Sequence, residues 1–469
     1  MESDIDITKF AWSWSFPKRL KNITDKRPTC ITVQNADEDI YQIRDNQYEQ
    51  EADHNYENEE NVDKIRRHLP PPTGKYSVGC VDIMDNSSEQ GCFFRLYYPV
   101  EKTDILKRNT QWPPWLPRKQ YAFGYARFLR RHKLMGKFFN WIGGDIYIPV
   151  LWQAPLLESD DKLPVLVMSH GIGGNRTTYS TFCCEIASHG FIVVVPEHRD
   201  GSASMTYLLK DNMRGTVVEL LKDHECGLHR RHTMHKSHSF TEEWQSFEHT
   251  DPLGIQWDDF DYRNKQVHQR ASECIRLLDV LTDINDGRSV RNFLGFHFSL
   301  KQFKGRMDMS KVAFAGHSFG GSTCVTTLGQ DKRFKVGIML DAWMHPLNEE
   351  LCSKVTQPVL ILNYEKFQWQ KNVKQMSWLQ SDDVDRTMLT LRGACHQAIS
   401  DFQFIVGKAF GKLMEVRSDL SPKVAMDVNK RATLGFLSKH LGLDGLDSAN
   451  DVLTGSHKDV VLGTTLDVT

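Results

Sequence analysis

No stretch of the 469-residue sequence is apolar for long enough to cross a bilayer as a helix, which takes about 20 residues. Charge of one sign is also missing: 58 Lys and Arg stand against 60 Asp and Glu, a net charge of −2. That balance argues against a nucleic-acid partner held by a general basic field. The opening MESDIDITKFAWSWSF lacks a basic segment followed by an apolar run, so no secretory leader is expected, and Glu2 argues against N-myristoylation at this start. Among ten cysteines only Cys183 and Cys184 are adjacent, and the paired spacing of a zinc site is absent. We therefore expect free thiols in a reducing, cytoplasmic setting, where the sequons at Asn22, Asn86 and Asn175 carry no weight. Internal repeats are lacking as well.

What is present is the composition of a folded domain, 40% hydrophobic and 25% charged. Residues 36–60 are the exception, crowded with carboxylates around a single basic residue, and read with the rest of 1–73 as a disordered acidic arm. The proline run of RRHLPPPTGKYSVG closes that arm, which places the domain start near Gly74. From Leu163 onward, apolar runs such as LPVLVMS, FIVVVP, KVAFAG, KVGIML, PVLILNY and RTMLTL alternate with helical stretches. In 265–284, Val267, Ala271, Cys274, Leu278 and Leu281 fall on one helical face. Strands alternating with helices predict an α/β fold with a mostly parallel sheet covered on both faces, spanning 74–447. The polar, His-rich segment 212–250 breaks the rhythm and is expected to be an insertion, and 448–469 a flexible tail.

The stretch KVAFAGHSFGGST (311–323) runs from an apolar strand into a glycine-flanked serine and then a plausible helix. Gly316 and Gly320 sit two residues either side of Ser318, the spacing that lets a nucleophile elbow turn without clashes. A serine hydroxyl needs a base to attack a carbonyl, and the base needs an acid to orient it. In α/β-hydrolases the chain order is Ser, then acid, then His. Asp341 closes the strand VGIMLD and His396 lies in the loop LRGACHQ, both at the edge where ligands bind in such sheets. Of the rivals, His345 is too near Asp341 in sequence, His440 falls in a helical segment, and His457 in the tail. SHGIGG (169–174) has the form of a loop that donates a backbone N–H to an oxyanion, and Phe319 after the serine would supply a second.

Taken together, GHSFGGST, LDAWMHPL, SHGIGG, ASHGFIVVVPEHRDGSAS and KYSVGCVDIM resemble the platelet-activating factor acetylhydrolases of the plasma and intracellular type II kind, calcium-independent phospholipases A2. The resemblance runs from about Gly74 to about Leu443. It implies an α/β-hydrolase fold with Ser318 as nucleophile, Asp341 as acid, His396 as base, and the N–H groups of Ile172 and Phe319 as the oxyanion hole. It implies hydrolysis of sn-2 acetyl or short oxidised acyl groups of phosphatidylcholines without metal or other cofactor. The rival readings are a carboxylesterase of broader scope and a catalytically silent binding protein of the same fold.

The segment 121–144 carries Arg127, Arg130, Arg131, Lys133 and Lys137 among apolar residues, with no carboxylate before Asp145. Such a segment suits a water–lipid interface, the alternative being a core-facing helix with a solvated basic face. The resemblance favours the interface, with Leu134, Met135, Phe138, Phe139, Trp141 and Ile142 entering a membrane or lipoprotein surface. Residues 404–414 (FIVGKAFGKLM) are a second candidate contact. His224, Cys226, His229, His232, His235 and His238 of the insertion are expected to be a solvated loop, since their spacing does not close a tetrahedral site.

Overall fold

The computed structural model describes residues 65–88, 90–211, 240–249, 259–413, 416–444 and 450–466. Its strands are β1 (Ser77–Met84), β2 (Phe93–Val100), β3 (Leu151–Trp152), β4 (Leu163–Ser169), β5 (Ile192–Pro196), β6 (Met205–Asp211), β7 (Phe240–Ser246), β8 (Met307–His317), β9 (Phe334–Leu340), β10 (Val359–Tyr364), β11 (Met388–Leu391) and β12 (Val460–Leu462). Ten of them form one sheet in the order β12-β11-β10-β9-β8-β4-β5-β2-β1-β3. The run from β5 through β11 is parallel, while β2 joins β5 and β12 joins β11 antiparallel. This is the expected mostly parallel architecture.

Alternation along the strands divides the core in two. Leu166, Met168, Val193, Val195, Ala313 and Ala315 pack with helices α3 (Ser180–Ser188) and α6 (Pro422–Leu441). Their neighbours Val165, Val167, Ile192, Val194, Val312 and Phe314 pack with α4 (Phe260–Asn285) and α5 (Phe319–Gln330) on the other side. Strands covered on both faces have no polar side to show, so they read as unbroken apolar runs. Because these strands are parallel and in register, with Ser169 beside Gly316, His317 beside Leu340, and Tyr364 beside Leu391, their following loops leave at one edge. That edge receives residues 170–174, Ser318, Asp341 and 392–397.

The structure moves several expected boundaries. The packed chain begins before Gly74: Leu69 is buried, and Thr73 N–H donates to Glu185 Oε2 at 2.9 Å. The arm up to residue 64 lies outside the described residues. Part of the tail is built in, since Val460–Leu462 extends the sheet and Val452 is fully buried; apolar residues spaced too sparsely to mark a strand still complete an edge. Of the expected insertion, 240–246 pairs with β6 as an antiparallel ribbon, while the His-rich stretch 224–238 lies outside the described residues. The basic segment is two helices, α1 (Lys119–Phe128) and α2 (Lys133–Gly143), broken near Arg130, whose φ is +51°.

Candidate active site

Ser318 lies between β8 and α5 with φ 56° and ψ −119°, a backbone state a side chain rarely adopts and one that costs on the order of 1–3 kcal/mol. The flanking glycines show why the turn needs them. A Cβ on Gly316 would lie 1.9 Å from the carbonyl oxygen of Gly320, and one on Gly320 would lie 2.2 Å from that of Ser169. No side chain fits at either position, so the hydroxyl is presented at the cost of bare backbone on both sides.

Three loops meet at this hydroxyl. His396 Nε2 stands 2.9 Å from Ser318 Oγ, and His396 Nδ1 stands 2.6 Å from Asp341 Oδ2. The other carboxylate oxygen of Asp341 accepts the Tyr364 N–H at 2.7 Å. Burial holds the His396 imidazole below its ordinary range, so it is neutral near pH 7. Burial likewise lifts the Asp341 carboxyl, against the opposing hydrogen bond from Tyr364. Nδ1–H faces the carboxylate, and Nε2 is left to accept from the serine. The other carboxylates between Asp341 and His396 that could compete as the acid, Asp382, Asp383 and Asp385, stand elsewhere: Asp385 binds Lys439 and His440, and Asp382 and Asp383 are exposed. Phe367 stacks on the His396 ring at 3.5 Å between centroids and 19°, fixing its plane.

Along residues 171–174 of the loop after β4, one N–H is left free by elimination. Gly171 N–H donates to Tyr179 Oη, Gly173 N–H to Ser202 O and Gly174 N–H to Gly171 O, and among the described residues none accepts from Ile172 N–H. Phe319 is the first residue of its helix, where backbone N–H groups have no intrahelical acceptor. Ile172 borders a pocket that also includes Ser318, whose chain continues into Phe319, and His396, Tyr179, Trp343, Phe367 and Phe402. Aromatic rings dominate this lining, which suits an apolar or lipid-like ligand.

Behind the serine, His317 ties the loops together. Its Nε2 lies 2.9 Å from the carbonyl oxygen of His396, an acceptor only, so Nε2 carries the proton. Nδ1 then accepts from Tyr179 Oη at 2.8 Å, and that hydroxyl accepts from Gly171 N–H at 3.0 Å. Among the described residues His317, Asp341 and His396 form the one group with metal-ligand atoms within 4.8 Å of one another. All four ring nitrogens already have hydrogen-bond partners, so the set is arranged for proton handling.

The expected lipid-contact residues separate into two groups. Leu134, Phe138 and Trp141 are 66%, 39% and 74% exposed and lie at i, i+4 and i+7, one stripe along α2. Phe139 and Ile142 instead pack against the core, and Met135 is half-buried. Correcting the six-residue expectation, a helix lying on a domain must give one face to it. The second candidate contact also fails in part: Ile405 is buried and Phe404 packs inward.

Sequence reasoning missed Tyr179, Phe367, Trp343 and Arg270. Only Arg270 left a signal, because it stands with Arg263, Gln266 and Glu273 on the buried face of an otherwise amphipathic helix.

Comparison with known proteins bears on the fold and the family. The ferulic acid esterase from Streptomyces cinnamoneus superposes with a TM-score of 0.51 at 16% identity, covering 84% of this chain and 99% of that one, a likeness of fold. The platelet-activating factor acetylhydrolase of Canis lupus familiaris is 38% identical over 402 residues, covering 86% of this chain and 84% of the dog protein. Its counterpart in Gallus gallus is 36% identical over 404 residues, covering 85% and 90%. The family model described as platelet-activating factor acetylhydrolase, isoform II, matches residues 62–459. With a match across most of its length and relatives this similar, the chain belongs to the platelet-activating factor acetylhydrolase isoform II family.

Proposed function

We propose that the protein is a serine esterase hydrolysing the sn-2 acetyl group of platelet-activating factor, and short or oxidised sn-2 acyl groups of phosphatidylcholines. The observation that carries this reading is the array of Ser318, His396 and Asp341 at hydrogen-bond distance beside two backbone N–H groups that no acceptor among the described residues claims. Ser318 Oγ attacks the sn-2 carbonyl carbon while His396 Nε2 takes its proton. The carbonyl oxygen becomes an oxyanion facing the N–H groups of Ile172 and Phe319. Collapse breaks the sn-2 ester bond; His396 returns the proton to the leaving oxygen, giving a lysophospholipid and an acetyl-serine. Water, deprotonated by His396, then releases acetate and restores Ser318. The shared name of the relatives supports the acetyl substrate, and the aromatic pocket supports a lipid.

Ser318→Ala tests the mechanism: turnover of an sn-2 acetyl phosphatidylcholine should fall by roughly 10⁶ with an unchanged melting curve. Turnover retained by the folded variant refutes it. Comparing acetyl, oxidised-acyl and long-chain sn-2 esters separates this activity from that of a broad carboxylesterase, which would not favour the short chains.

The exposed stripe Leu134, Phe138 and Trp141, flanked by exposed Lys133 and Lys137, supports peripheral docking on a lipid surface. No helix among the described residues is long and apolar enough to cross a membrane.

A further inference from the structure

Helix α4 turns charged residues toward the sheet edge that carries the reaction, and Arg270 is fully buried there. Its guanidinium touches the oxyanion loop ahead of Ile172 and reaches it beyond Ile172 through Ser202. Ahead of Ile172, Arg270 Nη1 donates to the carbonyl of His170 at 2.7 Å. Beyond Ile172, Arg270 Nε donates to Ser202 Oγ at 3.0 Å, and Ser202 O accepts the N–H of Gly173 at 2.8 Å. The same guanidinium carbon stands 4.4 Å from the centroid of the Phe319 ring. Asp200 Oδ2, 2.9 Å from Arg270 Nε, neutralises the charge and orients the fork. One side chain thus touches both loops whose N–H groups face the oxyanion, and those loops are 147 positions apart in sequence, from Ile172 to Phe319.

A second arrangement of the same helix supports the loop from behind. His198 accepts from Ser169 at 2.8 Å through Nε2 and meets Glu273 at 2.7 Å through Nδ1, while its backbone N–H donates to His170 Nε2 at 3.2 Å. Ser169, His198 and Glu273 repeat the donor order of a catalytic triad, yet Ser169 and His198 are fully buried, so no ester reaches that serine. Their work is to hold His170, and Arg270 holds the carbonyl of that same residue.

We propose that Arg270 is a positioning residue for the oxyanion hole, locking the loop of Ile172 and the first turn after Ser318 into one rigid unit. The inference rests on the reading that Ile172 and Phe319 donate to the oxyanion. A flat guanidinium can donate to two acceptors in different directions while stacking on a ring; an ammonium can keep the charge opposite Asp200 but not that fork. Arg270 touches no reacting atom, so its loss should weaken the transition state and leave ground-state binding alone.

The test compares Arg270→Lys with the wild-type chain using a trifluoromethyl ketone, whose adduct with serine carries an oxyanion, and an ether analogue of equal length, which cannot form one. The soluble acetyl ester gives kcat and KM. We expect kcat to fall by roughly tenfold to a hundredfold, less than the 10²–10³ lost with a whole oxyanion donor. Ketone affinity should fall by the same factor, with KM and ether affinity within about twofold. The ratio of ester to thionoester rates should shrink, because sulfur draws little from the hole. If Arg270→Lys fails to melt cooperatively, the double variant Asp200→Asn, Arg270→Met, which removes both charges together, is measured instead. A folded variant with wild-type ketone affinity overturns the inference, as does one losing ketone and ether affinity in equal measure, which marks a general loss of structure. If the wild-type chain itself binds the ketone no better than the ether and treats ester and thionoester alike, the oxyanion reading falls, and the inference with it.

Discussion

Replacing Asp341 by Asn changes one atom, and the surroundings of that atom decide the outcome. Asp341 Oδ1 accepts the Tyr364 N–H at 2.7 Å, and Oδ2 faces His396 Nδ1 at 2.6 Å. An asparagine must choose which group faces which neighbour. Turning its NH₂ toward Tyr364 would oppose two donors at hydrogen-bond distance in a site 2% exposed, leaving both without an acceptor. The amide oxygen therefore keeps the Tyr364 bond, and the NH₂ faces His396. Nδ1 then accepts, the ring proton moves to Nε2, and Nε2 can no longer take the proton of Ser318 at 2.9 Å. The wrong tautomer costs a rate factor of roughly 10⁴, or about 5.5 kcal/mol in barrier. Hydrolysis of a soluble acetyl ester by purified Asp341→Asn, beside a melting curve, measures it. A loss below about tenfold in a folded variant would refute the tautomer argument and the assignment of Asp341 as the orienting acid.

Burial keeps His396 neutral to lower pH than a solvated imidazole, so kcat for the soluble ester should hold as pH falls through about 6.5 and decline only below it. Half-maximal activity at pH 6.5 or above would contradict that environment. Asp82 sits between Arg95 and Arg176 at 2.6 and 2.9 Å, all three buried, so Asp82→Asn should cost about 3–5 kcal/mol by denaturant titration, because two guanidiniums lose their shared partner. A cost below about 1 kcal/mol, the worth of a surface pair, would show that the cluster is not acting as a buried one. Replacing Leu134, Phe138 and Trp141 with Ser should lower liposome partitioning about tenfold or more while leaving soluble-ester hydrolysis unchanged. Loss of both together would place those side chains in the fold, and unchanged partitioning would end the docking proposal.

Features set by local sequence were readable without the structure. The glycines around Ser318 are there because a Cβ on either would collide with a carbonyl, a constraint acting within a few residues and with the strand that ends at Ser169. Strand and helix periods were equally plain: Val267, Ala271, Cys274, Leu278 and Leu281, chosen by spacing alone, are all fully buried. The order Ser318, Asp341, His396 was legible because each residue follows a parallel strand, the first after β8, the second after β9 and the third after β11, and parallel strands send their loops to one edge.

Other features depended on which strands become neighbours. The short β12 is a strand only because β11 offers it an edge, and 240–246 only because β6 lies alongside. The basic segment held two apolar faces that periodicity cannot rank; the break at Arg130 and the docking of Phe139 and Ile142 left the stripe of Leu134, Phe138 and Trp141 outward. Tyr179 reaches His317 across 138 positions, and Arg270 reaches His170 across 100. Sequence alone determined the backbone turns, the periods and the chemistry each loop could offer, since these rest on sterics and hydropathy between near neighbours. Tertiary structure alone decided which polar groups meet in the interior, since a hydrogen bond there requires two side chains brought within about 3 Å by strand order and helix placement that no local pattern encodes.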